Sequence, residues 1–300
     1  MKTFRKKFIK KKPLRKASAK VQSAMEYLMT YGWAILIIAV VLAALFQLGV
    51  FNPMTFAPKA PPGSCQVFRP DGPGTTSFIN LEGICSGELP QYVAQFNGQS
   101  SYINVASSLS LSPTTYISAF AWINPSSQST AIIEKQGSYG MKIGVQGAAP
   151  GQFAGYVWGT NGVCSSYPFV LRPVNWYLVG FTFNGTTVNE YVNGKFYCSV
   201  SYTGSIPTST SPVAFGGPSD VDGYIAGSIA NVQIYNTSLS ANEIQALYLE
   251  GIGGAPIDLQ HLIAWWPLNG NANDYSGNGN NGQINNVTFV SNWYNGYTPP

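Results

Sequence analysis

The first 51 residues divide into a polar half and an apolar half. Lys2, Arg5, Lys6, Lys7, Lys10, Lys11, Lys12, Arg15, Lys16 and Lys20 place ten positive charges, and no acid, within residues 1–20. From Tyr27 to Phe51 nothing is charged. A run of about 25 such residues is long enough to cross a ~30 Å hydrocarbon core as one helix. Lys/Arg-rich flanks stay cytoplasmic, so the pattern predicts a membrane anchor with the other 249 residues outside the cell. A cleaved secretory signal has a shorter apolar core, about 7–15 residues, followed by a small-residue cleavage site. Leu45 to Gly49 offers no such site. Glu26 is the one charge in residues 22–51, and a carboxylate at the mouth of a membrane helix is costly unless it is interfacial or partnered.

The pattern changes twice more. Residues 52–62 hold Pro53, Pro58, Pro61 and Pro62, a short stiff spacer. Residues 64–90, with Pro-Asp-Gly-Pro-Gly at 70–74, read as an irregular loop closed by Cys65 and Cys85. From Gln91 the apolar period is two. Strands are predicted at 92–96 and 102–105 around the turn Asn97-Gly98, then at 116–123, 131–135, 141–146 and 153–158. Residues 176–183 run into Asn184-Gly185 and 189–192 into Asn193-Gly194, where Asn-Gly supplies the positive φ angles of a tight hairpin turn. Further strands are expected at 213–216 and 224–235. Ser240-Ala-Asn-Glu243 fits a capping box and predicts a short helix over 241–250, stopped by Gly251. The expected fold class is mainly β: one N-terminal helix, then an antiparallel β-sandwich. The domain organisation reads as leader 1–21, apolar helix 22–51, spacer and Cys loop 52–90, sandwich 91–255, and a C-terminal segment 256–300. That last segment, about 45 residues, cannot bury a core alone and is expected to complete the same sandwich.

Charge sharpens this picture. Beyond Val21 six basic residues face twelve acids, a net of −6, so the overall +4 belongs to the leader. No basic patch remains for nucleic acid. The four cysteines all lie beyond the apolar run, and an even number outside the membrane favours two disulfides. Three pairings are possible; Cys65–Cys85 with Cys164–Cys198 is the simplest. No Cys-x-x-Cys is present, so a zinc site is not supported.

Two resemblances arise from these residues. Gln22-Ser23-Ala24-Met25-Glu26, between a basic leader and an apolar helix, resembles the archaeal type IV pilin-like proteins. The resemblance implies peptidase processing between Val21 and Gln22, although that family carries Gly or Ala where Val21 stands. It also implies an assembly role for Glu26, whose carboxylate would meet the new α-amino group of a neighbouring subunit. The implied partners are the membrane and other copies of the chain or other pilin-like subunits. Farther on, Phe96-Asn97-Gly98, Phe120-Ala121-Trp122-Ile123, Trp176-Tyr177-Leu178-Val179, Tyr191-Val192-Asn193-Gly194-Lys195 and Val232-Gln233-Ile234-Tyr235 resemble, in that order, the laminin-G-like, concanavalin-A-like jelly roll. Ala230-Asn231 departs from the two acids common there. Residues 262–282 look like the opening strand and loop of the same fold, placed last.

The jelly roll implies binding of carbohydrate or protein through rim loops, in some relatives with calcium. Asp220 and Asp222 on one turn, and Asp274 near Asn278, Asn280 and Asn281, are the candidate calcium ligands, the only cofactor expected. Tyr139, Trp158, Tyr167 and Tyr224 lie near predicted loops and are candidate sugar-stacking residues, whereas Trp122, Trp176 and Trp265 read as core. Glycosidases need two carboxylates at fixed separation. Here Glu134, Glu190 and Glu243 stand apart, and His261, the single histidine, has no evident partner, so no catalytic residue is assigned and the chain is not expected to be an enzyme. The expected function is a cell-surface adhesin, anchored in the cell membrane or assembled into a filament after leader cleavage, that displays a lectin-type domain. The alternative is a structural filament or envelope subunit, with a membrane-bound glycosidase as the third reading.

Overall fold

The computed structural model describes residues 18–47, 65–70, 76–81, 89–126, 130–144, 151–160, 169–217 and 223–300. Two compact units divide at Lys59. The first holds α1 (Ser18–Gln47), 30 residues long, or about 45 Å at 1.5 Å per residue. It begins four residues before Gln22, inside the basic leader. Among the described residues no helix is long and apolar enough to cross a membrane.

The second unit is mainly β. A small hairpin, β1 (Cys65–Pro70) with β2 (Thr76–Leu81), pairs Cys65 opposite Leu81. This corrects the irregular loop expected for 64–90: Gln-Val-Phe-Arg and Ser-Phe-Ile-Asn are short alternating runs on either side of a Pro/Gly turn sequence.

The sandwich comes next. Its larger sheet contains β3 (Val93–Asn97), β5 (Ile117–Pro125), β9 (Tyr177–Phe183), β10 (Thr187–Val192), β11 (Lys195–Ser201), β13 (Ala226–Tyr235), β14 (Leu262–Trp266) and β16 (Thr288–Val290). Its order is β11-β10-β9-β5-β13-β3-β16, with β14 also on β13. The smaller sheet contains β4 (Tyr102–Val105), β6 (Thr130–Lys135), β7 (Tyr139–Ile143), β8 (Phe153–Val157), β12 (Val213–Phe215) and β15 (Gly282–Asn285), in the order β15-β4-β12-β6-β7-β8.

Of the three Asn-Gly pairs expected to turn between strands, two close hairpins. Asn184-Gly185 joins β9 to β10, and Asn193 and Gly194, at φ 50° and 73°, join β10 to β11. The third does not. β3 and β4 lie in different sheets. Asn97 Oδ1 accepts from the backbone N–H groups of Gln99, Ser100 and Ser101, which folds the link into a corner that crosses the sandwich.

Strand β13 serves two neighbours on one side. Ala226 to Ile229 pair with β3, and Val232 to Tyr235 pair with β14. Asn231 stands between the two halves at φ 47°, where the register with β5 also shifts. Asn tolerates this left-handed conformation. Its Nδ2 donates to Gly254 O, and its Oδ1 accepts from Trp265 Nε1 at 2.8 Å and from Gln233 Nε2 at 2.9 Å.

Ile103, Phe181, Phe183, Phe215 and Trp266 fill the space between the sheets. A second apolar layer, with Trp122, Trp176 and Trp265 in it, covers the outer face of the larger sheet. It is closed by α2 (Ala241–Leu249), through Ile244 and Leu247, and by Trp293. The capping box is present: Ser240 Oγ accepts from Glu243 N, and Glu243 Oε2 accepts from Ser240 N. Gly180 on β9 lies under the Phe120 ring, and a Cβ there would collide with that ring and with Ala119 O. Gly180→Ala is therefore expected to cost about 1–3 kcal/mol through overpacking. Urea unfolding measures it, and an unchanged midpoint would contradict this packing.

Candidate functional site

With α2 and the C-terminal segment over the larger sheet, the outer face of the smaller sheet remains, and no helix packs over it among the described residues. Antiparallel partners opposite one another share a face. The register therefore sets one row across all six strands: Gln283, Asn104, Ala214, Glu134, Gly140 and Tyr156. Ile103, Val105, Ile133 and Met141, one step along, face the core.

Gly140 is the floor of this row. A Cβ on it would lie 2.5 Å from Tyr156 Oη, so the missing side chain lets the Tyr156 ring cross to Glu134. Tyr156 Oη donates to Glu134 Oε1 at 2.7 Å. Lys142 Nζ stands 3.5 Å from the same oxygen and 5.1 Å from the Tyr156 ring centroid. Glu134 is 3% exposed, yet its Oε2 has no hydrogen-bond partner. A buried carboxylate oxygen left unpaired is costly. Tyr102, on the adjacent row, lies 6.3 Å from Tyr224, ring centroid to centroid, and the pair forms a half-buried aromatic edge to this face.

The residues expected from sequence fall in several places. Tyr224 borders the face through Tyr102. Trp158 sits in the exposed turn after β8, and Tyr167 lies outside the described residues. Tyr139 is a correction: it is fully buried between the sheets, its hydroxyl donates to Leu111 O, and burial raises its pKa. Its inward register position opposite Lys135 and Val157 removes it from any ligand surface.

Asp274 is a second correction. It is buried, with Oδ1 accepting from Trp265 N and Ser276 N and Oδ2 from Asn280 N. Both oxygens are taken up in shaping the loop, so Asp274 does not fit a calcium ligand. Asp220 and Asp222 lie outside the described residues, and among those described no group of three or more His, Cys, Asp or Glu side chains could hold a metal ion. His261 does have a partner: its Nδ1 is 2.7 Å from Asp258 Oδ2, three residues back.

Val21, Gln22 and Glu26 fall within α1, with their side chains outside the described residues. Cys85 and Cys164 lie outside them entirely, as does the Cys65 side chain. Cys198 is disulfide-bonded. Which cysteine pairs with it lies outside the described residues.

Residues 97–245 match the family model Laminin_G_3, described as the concanavalin A-like lectin/glucanases superfamily. Over those residues, just under half of the chain, the sandwich is similar to that superfamily. A solved structure with a similar fold is a Bacteroides ovatus protein described as a candidate carbohydrate-binding protein, at TM-score 0.54 and 17% identity, covering 72% of this chain and 66% of that one. Domain 4 of an extracellular GH43 arabinanase from Geobacillus stearothermophilus aligns at TM-score 0.41 and 19% identity, covering 54% of this chain and 82% of its own. Domains LG4-5 of the mouse laminin alpha1 chain align at 0.39 and 14%, covering 65% and 49%. No curated protein sequence matches the chain.

Proposed function

We propose that this protein is a membrane-anchored surface protein whose jelly roll binds carbohydrate on the outer face of its smaller sheet. The observation that carries the reading is the unpaired Oε2 of buried Glu134 beside Lys142 and Tyr156. Sugar hydroxyls are donors of the size that such an oxygen accepts. Asn104 offers an amide along the same row, and Tyr102 with Tyr224 offers rings for a sugar's C–H surface. Lys142 lies over the carboxylate, and its long stem can swing aside to admit the ligand. The similar fold of the Bacteroides ovatus protein agrees with a binding role.

The test is a glycan panel on the full-length chain in detergent. Saturable binding is expected, and Glu134→Gln and Tyr156→Phe should each weaken it about tenfold or more, as loss of a charge-assisted hydrogen bond does. Tyr156→Phe takes the hydroxyl donor from a buried carboxylate and should melt a few degrees below the parent, so binding is compared at a temperature where every variant is folded. Absence of binding across a broad panel would return the chain to a structural subunit. A chelator arm addresses calcium, which rests on Asp220 and Asp222 alone.

Anchoring and processing belong to the same proposal. They are supported by the uncharged run from Tyr27 to Phe51 and by the Gln22–Glu26 pattern. The mass of the N-terminal peptide recovered from the cell surface decides between them. A chain starting at Gln22 supports a pilin-like subunit in which Glu26 serves assembly, and a retained leader supports a simple anchor. The disulfide pairing Cys164–Cys198, with Cys65–Cys85, is likewise proposed, and peptide mapping under non-reducing conditions tests it.

A further inference from the structure

A groove of about 610 Å³ opens at one end of the smaller sheet, between the segment after β4 and the segment before β12. Its volume is in the range of small-molecule sites, about 300–1,000 Å³. Ser107, Ser108, Leu109 and Ser112 form one wall and residues 208–210 the other, and no carboxylate lines it.

Behind Ser107 lies Lys135, the last residue of β6, whose inward register position carries its side chain to the end of the core. Lys135 is fully buried, and no carboxylate pairs with it among the described residues. Its Nζ donates to Ser107 Oγ at 2.8 Å and to Ser211 O at 2.9 Å, both neutral oxygens. A buried ammonium balanced only by neutral acceptors leaves uncompensated positive charge, and burial lowers its pKa accordingly.

The walls carry that charge outward. Ser107 Oγ accepts from the ammonium, so its own hydrogen must point elsewhere. Ser107 is exposed and lines the groove. Thr208 and Thr210 are also exposed and line it. Ser209 Oγ donates to Gln136 O and ties that wall to the end of β6. At the rim Leu109 is 95% exposed, an apolar side chain held out over hydroxyl-lined walls.

We propose that this groove is a second ligand site, for a carboxylate-bearing sugar such as a uronic acid. The carboxylate would sit on Ser107, whose hydroxyl is polarised by Lys135, and the sugar hydroxyls would meet Thr208 and Thr210. The sugar's C–H face would lie on Leu109. In a domain that is net acidic, this cation gives the groove a local preference for a single anionic group.

The test is titration of the full-length chain in detergent with galacturonate and its short oligomers, against galactose and against acetate, followed by calorimetry. Saturable binding of the uronate at least tenfold tighter than galactose or acetate is expected. Ser107→Ala and Thr208→Val, both on the exposed wall, should each weaken it severalfold. Lys135→Met should abolish it and keep the fold, since replacing a buried charge by an apolar side chain is often neutral or stabilising. Glu134→Gln, on the opposite face of the sheet, should leave uronate binding unchanged, which separates this site from the one over Glu134. Equal affinity for galactose, no saturation with uronate, or binding indifferent to Ser107→Ala and Lys135→Met would overturn the proposal.

Discussion

Removing residues 255–300 is expected to abolish cooperative folding. The deletion takes β14 from the larger sheet and β15 and β16 from an edge of each sheet. With them go Trp266 and Leu268 from between the sheets, and Trp265 and Trp293 from the layer over the larger sheet. The half of β13 that pairs with β14 would lose that partner and expose a row of backbone groups. Buried hydrogen bonds go too: Trp266 Nε1 donates to Asn280 O, and Trp176 Nε1 donates to Trp293 O. Truncating one buried Trp typically costs about 3–5 kcal/mol, and a domain's whole stability is about 5–15 kcal/mol. Three Trp and three strands together exceed that margin. Circular dichroism and urea unfolding of the truncated chain measure the outcome. A soluble product with a sigmoidal transition would show that residues 60–254 hold a core of their own.

The second large effect is a pH dependence centred on Glu190. Its neighbours Val188 and Val192 pack between the sheets, and its carboxyl lies there with them, where Oε1 accepts from Gly155 N at 3.1 Å. Burial pushes its pKa up to about 8, and the hydrogen bond from Gly155 offsets only part of that. A raised folded-state pKa stabilises most below the unfolded value near 4.5. As pH rises from there, the unfolded chain ionises first and stability falls by about 1.4 kcal/mol per pH unit until the folded carboxyl ionises near 8. The full loss is up to about 5 kcal/mol. Glu250, after α2, shifts in the same direction, again through burial. The readout is therefore the difference between parent and Glu190→Gln, with urea unfolding at pH 5 and pH 8. The parent should lose several kcal/mol between these values and the variant far less. Parallel losses would mean that Glu190 is ionised in the fold at neutral pH.

The elements legible in the sequence are those that depend on local chemistry. Ser240 and Glu243 cap α2 through contacts three residues apart, and Asn193-Gly194 closes a hairpin through its own backbone angles. Asn97-Gly98 carries the same signal with a different outcome, because the next strand, β4, belongs to the other sheet. No local pattern separates a hairpin from a corner when the side chain of Asn97 organises the link. The same limit hides the candidate site. Glu134, Gly140, Lys142 and Tyr156 lie on three strands, and only the register of β6, β7 and β8 brings them together.

One signal is present. Glu134 and Lys135 are adjacent in an alternating strand, so one of two charges has to face inward. Glu134 takes the outer face and Lys135 the core end. Tyr139 sits on the Lys135 side of that alternation, which is why it is interior, while Gly140 and Lys142 share the Glu134 side. Asp274 and His261 elude sequence reasoning for a different reason: their partners are backbone N–H groups and Asp258, all set by loop shape.

The most direct test of a carbohydrate site on the smaller sheet is to map tyrosine side-chain signals by NMR. The full-length chain is titrated with a neutral oligosaccharide that binds it. The account predicts that Tyr156, Tyr102 and Tyr224 shift together and saturate, and that Glu134→Gln suppresses all three. Shifts confined to Tyr294 and Tyr297, on the side of the larger sheet, would place the ligand elsewhere and contradict it.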